Sequence, residues 1–116
     1  MSVKIYHNPR CSKSRAALAM IRERGIEPEI IDYLQEPPSV EQLEHITQAL
    51  GVEPQALLRR SEPDFSELGL DPHLDDGQHI LAAIHDHPRL LQRPIVMVDG
   101  RGRIGRPPEV IAEILP

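Results

Sequence analysis

One cysteine, Cys11, is all that 116 residues contain. An internal disulfide is therefore impossible, and so is a thiol relay within the chain. Aromatic side chains are almost as scarce: Tyr6, Tyr33, Phe65 and no tryptophan. The core has to be built from Leu, Ile, Val and Ala. An acidic chain this poor in aromatics is a weak candidate for nucleic acid. No apolar run approaches the roughly 20 residues of a membrane span, so no membrane role is expected. No charged-then-apolar leader opens the sequence, which argues against secretion. A lone thiol without an export signal suits a reducing cytoplasm. Internal repeats and low-complexity segments are also missing.

What is present is an ordinary globular composition, 40% hydrophobic and 27% charged, of single-domain length. The net charge of −5 is unevenly spread. Residues 1–22 hold Lys4, Arg10, Lys13, Arg15 and Arg22 and no acid. Residues 23–87 hold three arginines and fifteen acids, and residues 88–106 hold five arginines and one acid. Two basic segments thus flank an acidic middle. Either this is ordinary surface fluctuation, or the two segments meet around an anion.

Periodicity gives the elements. VKIY at 3–6 reads as a strand. A helix is expected from Ser12 to Arg24, with Ala16, Leu18, Ala19, Met20 and Ile21 on its packed face and Gly25 as its left-handed stop. EIIDY at 29–33 reads as a second strand. A strand–helix–strand unit of this length predicts two parallel strands with a right-handed crossover. Ser39 with Gln42 forms a capping box for a helix to Leu50, closed by Gly51. Pro54 opens a short helix, QALLRR. Residues 61–75 read as loop with one turn, and 76–87 as a helix with Ile80, Leu81 and Ile84 on one side. IVMV at 95–98, the Asp99-Gly100 turn and 102–105 read as a hairpin. Pro107 opens a last helix, PPEVIAEIL. The class is α/β: one small mixed sheet with helices packed on it.

The chemistry is expected at "HNPRCSKSR", residues 7–15. Cys11 sits where the first strand hands over to the first helix. Free backbone N–H groups and the positive end of the helix dipole converge there, which is an anion site and a setting that favours thiolate. Lys13 and Arg15 occupy a first turn that normally carries acids. A structural helix start gains nothing from them; a site for an anion does. The plain alternative is that Cys11 is a small buried hydrophobe. A cysteine phosphatase loop would need an arginine six positions after the cysteine, where this chain has Ala17. A softer, reducible centre remains: an arsenic oxyanion or a disulfide. Single arginines elsewhere read as solvated charge. Arg59 and Arg60, adjacent on the predicted QALLRR helix, should diverge by roughly 100°. Arg93 and Arg106 each precede a proline at a strand end.

"YHNPRCSKSR" with "ALLRR", "RPIV" and "GRPPEV" resembles the ArsC family of glutathione- and glutaredoxin-dependent arsenate reductases, over essentially the whole chain. The resemblance implies a thioredoxin-like fold, with a four-stranded mixed sheet, flanking helices and a helical insertion at about 39–91, all within one domain spanning 1–116. It implies that Cys11 is the nucleophile and that Arg59, Arg93 and Arg106 hold the oxyanion. Pro94 would be cis beside the cysteine. His7, Ser14 and Arg15 are supporting residues, and His7 could help hold the thiolate or serve only packing. Characterised members read Cys-Gly-Thr-Ser-Arg where this chain has Cys-Ser-Lys-Ser-Arg, and many extend beyond the position of Pro116.

Arsenate reduction takes two electrons, and Cys11 supplies one thiol. The second has to come from outside: glutathione as reductant, with glutaredoxin clearing the mixed disulfide. No bound cofactor is expected, and a monomer is. His45, His73, His79, His85 and His87 read as surface positions without zinc spacing, so no metal is expected. Two rivals stand. One is an Spx-like regulator binding RNA polymerase, whose Cys-x-x-Cys switch this chain lacks at Ser14. The other is a general glutathione-linked thiol transferase.

Overall fold

The computed structural model describes residues 2–116. The chain divides into two compact units. One runs through Glu36 and resumes over Arg93–Pro116; the other is Pro37–Gln92.

The first unit holds a four-stranded sheet. Strands β1 (Val3–His7), β2 (Glu29–Asp32), β3 (Ile95–Val98) and β4 (Arg101–Ile104) lie in the order β2-β1-β3-β4. β1 pairs with β2 in parallel, Ile5 opposite Ile30, and with β3 antiparallel, Ile5 opposite Val96. The connection from β1 to β2 is helix α1 (Ser12–Glu23). β3 and β4 form the antiparallel hairpin, with Val98 opposite Arg101. Asp99 takes a left-handed φ of 54° at its turn. This is the thioredoxin-like arrangement.

The core explains the strand pattern. Val3, Ile5, Val96 and Val98 meet Ala17, Leu18 and Ile21 of α1, and Ile111, Ile114 and Leu115 close the cluster. The buried face of α1 is Ser14, Ala17, Leu18 and Ile21, a three- and four-residue spacing. Ala16 and Ala19 are exposed, so the expected packed face is rotated toward Ser14. Gly25, at φ 75°, takes the left-handed conformation that L side chains resist and ends the helix.

In the second unit, α2 (Val40–Leu50) starts at the Ser39 capping box and stops at Gly51, φ 70°. α4 (Gly77–Asp86) is capped by Asp76 and buries Ile80, Leu81 and Ile84. Three expectations are corrected here and in the first unit. The QALLRR helix is a single 3₁₀ turn, Pro54–Leu57. Leu58 then bridges Leu91, and Arg59 and Arg60 lie beyond any helix. Residues 61–75 hold two helical pieces, α3 (Pro63–Glu67) and a 3₁₀ turn at Asp71–His73. The last helix is 3₁₀, Pro108–Glu113. No helix among the described residues is long and apolar enough to cross a membrane.

Candidate active site

Cys11 is the N-cap residue of α1, with extended φ −96° and ψ 123°. Its carbonyl accepts the first helical bond from Arg15 N at 3.0 Å, and its own N–H donates to Asn8 O at 3.0 Å. The sulfur therefore stands where the free N–H groups of the first turn point. Burial pushes the Cys11 thiol up, but the N–H groups of Ser14 and Lys13 and the Arg93 guanidinium outweigh it. The net shift is downward, toward thiolate. The side chain makes no well-aligned capping bond. The effect is the convergence of several donors and one positive charge rather than one strong bond.

Arg93 comes from the other end of the unit, just ahead of β3. It is half-buried, and its Nε is enclosed without a hydrogen-bond partner among the described residues. The Arg93–Pro94 peptide is cis. The Arg106–Pro107 peptide is cis as well, a feature the sequence analysis did not anticipate. Arg106 Nη1 donates to Arg93 O at 3.1 Å, so the two arginine-proline corners are tied together. Gly105 lets them close: a Cβ there would meet Pro94 Cγ at 2.8 Å and Ile111 Cγ2 at 3.3 Å.

His7 and Ser14 form one buried unit. His7 is 7% exposed and Ser14 is 0% exposed. His7 Nδ1 and Ser14 Oγ are 2.9 Å apart, and Asn8 N donates to the same Oγ at 3.0 Å. Ser14 thus pins the end of β1 to the first turn of α1, around the loop that presents Cys11. Burial, with help from Arg22 and Arg15, holds His7 below the ordinary histidine pKa against the opposing pull of Asp32. The shift favours the neutral ring, and His7 acts as a hydrogen-bonding partner. Arg15 Nη1 donates to Pro9 O at 2.9 Å and braces the same loop.

Arg59 lies in the second unit. Its backbone N–H donates to Leu90 O at 2.7 Å, and its Nη1 donates to Glu62 Oε2 at 2.7 Å with both side chains half-buried. Arg60 is exposed. The backbone thus separates the two arginines through the Leu58–Leu91 bridge, not through helical geometry. Four of the remaining histidines are exposed. His87 is half-buried instead, 3.8 Å from Asp64. No group of three or more His, Cys, Asp or Glu among the described residues is placed to hold a metal ion. Sequence reasoning missed Glu62 and the Ser14–His7 bond. Only the three-residue spacing of Arg59 and Glu62 hinted at the first.

A thioredoxin-like sheet whose first helix starts at a cysteine shifted toward thiolate, with Arg93 beside it, is an arrangement suited to thiol chemistry. The comparisons narrow this. The ArsC family model matches residues 6–114. An arsenate reductase of Neisseria meningitidis is 48% identical over 115 residues, covering 97% of both chains. The uncharacterized protein YfgD of Escherichia coli is 43% identical over 97% of this chain and 96% of its own. The solved arsenate reductase of Vibrio cholerae superposes with a TM-score of 0.89 at 48% identity, covering 99% of this chain and 98% of that one. The chain belongs to the ArsC family.

Proposed function

We propose that this protein is an arsenate reductase. It forms a Cys11–arsenic adduct and releases arsenite with the help of glutathione and glutaredoxin. One observation carries the reading: the Cys11 thiol is held toward thiolate by the Ser14 and Lys13 N–H groups and by Arg93, whose buried Nε–H has no partner of its own among the described residues. An unpaired buried donor costs about 1–3 kcal/mol, and an oxyanion bound at Cys11 would satisfy it. Family membership and the arsenate reductase relatives supply the identity of that oxyanion.

The chemistry follows from charge. Arsenate is largely dianionic near neutral pH and repels a thiolate. Arg93 and Arg106 offset that repulsion and stabilise the developing charge through forked hydrogen bonds, and the family resemblance adds Arg59 as a third such donor. Cys11 attacks arsenic, and an oxygen leaves as water. Two thiols give two electrons, so arsenic passes from As(V) to As(III) while Cys11 and an external sulfur end as a disulfide. With Cys11 the only cysteine, that sulfur belongs to glutathione, and glutaredoxin regenerates the thiol. The neutral His7, fixed by Ser14, keeps the loop in place. Residues 1–116 act as one ArsC-type domain with the helical insertion at about 39–91, as a cytoplasmic monomer without bound cofactor.

The test is NADPH oxidation with arsenate, glutathione, glutaredoxin and glutathione reductase. Arsenate-dependent turnover that disappears in Cys11→Ser is expected. Turnover of glutathione disulfides without any response to arsenate would replace this reading with a general thiol transferase. No turnover of either kind would favour a binding role of the Spx type.

A further inference from the structure

Arg10 and Lys13 lie one residue before and two residues after Cys11, and both are exposed. Neither side chain has a hydrogen bond or ion pair among the described residues. Nearby cations differ. Arg15 is spent on Pro9 O, Arg22 on Glu27 at 2.9 Å, and Arg24 on Pro116 O. The first turn of α1 holds no acid, and none occurs anywhere in residues 1–22. Two unpaired cations at a helix start repel the positive end of its dipole and add nothing to folding. An incoming anion removes that repulsion.

The proposed reaction has one reactant not yet housed. Arsenate is assigned to the enclosed donors around Cys11. The external thiol has to approach the same sulfur from solvent. We infer that Arg10 and Lys13 form the docking subsite for an anionic thiol, one carrying carboxylates near its sulfur, and select it over neutral and cationic thiols. The inference rests on the proposed function in taking Cys11 as the reacting sulfur. Exposed, flexible side chains are poor ligands for a compact oxyanion held elsewhere. They suit an extended thiol: a tripeptide spans roughly 10 Å, so its carboxylates reach both cations while its sulfur meets Cys11. Their field also raises the encounter rate with negative partners.

Three small disulfides of matched size provide the probe: 3,3′-dithiodipropionate (dianionic), bis(2-hydroxyethyl) disulfide (neutral) and cystamine (dicationic). The Cys11 thiolate attacks one sulfur, a new S–S bond forms, and the other half leaves as its thiolate. The rate with each is followed by mass spectrometry of the intact protein. The Arg10→Gln/Lys13→Gln pair should lower the anionic-to-neutral rate ratio by about 3- to 10-fold. The Arg10→Glu/Lys13→Glu pair should turn the preference toward cystamine. In the coupled assay the Gln pair should raise KM for glutathione by a similar factor. A ratio changed less than twofold, with the neutral disulfide still reacting, overturns the subsite alone. So does a KM effect confined to arsenate. If wild-type protein fails to react even with the neutral disulfide, Cys11 is not an accessible nucleophile, and the proposed function falls with the subsite.

Discussion

Cys11, Arg93 and Ser14 illustrate how little of a reactive site is visible one residue at a time. Cys11 alone is a small half-buried thiol. Its shift toward thiolate comes from two amide groups, Ser14 and Lys13, and from Arg93, 82 positions later in sequence. The direction of its shift fixes a prediction. The pH dependence of alkylation should show a midpoint below that of free cysteine, about 8.5. A midpoint at or above that value would show that burial outweighs the amides and Arg93. The arginines give a second prediction. Arg93→Ala, Arg106→Ala and Arg59→Ala should each lower kcat/KM for arsenate by about 10²–10³, the scale for losing a donor to a developing oxyanion. The exposed Arg60→Ala should stay near wild type. Lysine at the three positions should recover only part of the rate, because an ammonium cannot make the forked contact. Equal loss at Arg59 and Arg60 would contradict the assignment of that segment.

At the scale of elements, the local rules worked where a signal lay within four residues. The Ser39–Gln42 box, the glycine stops at Gly25 and Gly51, and the β3–β4 hairpin were all legible. So was the parallel β1–α1–β2 unit. Two of the three failures share one cause: contact with distant chain. Gln55–Arg60 reads as helix, but Leu58 is drawn into a bridge with Leu91, and Gln92 N–H reaches Leu57 O at 2.7 Å. The turn stops early, Leu58 is extended, and Arg59 lies outside any helix. The Pro108–Glu113 segment tightens to 3₁₀ where it packs against α1 and β4. Of the candidate site, Arg59, Arg93 and Arg106 came only from the family resemblance, while Cys11 stood out by its basic surroundings. The Ser14 bridge between His7 and Asn8 did not, because nothing in the spacing of positions 7 and 14 announces a strand end meeting a helix start. Gly105 gives the prediction at this scale. A methyl group there would press on Pro94 at 2.8 Å and force the Arg93 and Arg106 corners apart. Gly105→Ala should destabilise by about 1–3 kcal/mol in denaturant titration and lower reductase activity beyond that loss. Unchanged stability and activity would show that the corner is free to adjust.

Over the whole molecule, charge and thiol count set the logic. An acidic protein sets Arg93 beside its one sulfur, in a stretch of sequence without acids, and that sulfur cannot complete a two-electron reduction without a second thiol. The central claim is this division of labour, with Cys11 inside and the other thiol outside. The most direct test is arsenite yield per protein molecule, measured with and without added thiol. With arsenate alone, the account predicts no arsenite. With glutathione and glutaredoxin added, it predicts continuous production that is absent in Cys11→Ser. Repeated arsenite release without any added thiol, or undiminished release from Cys11→Ser, would contradict it.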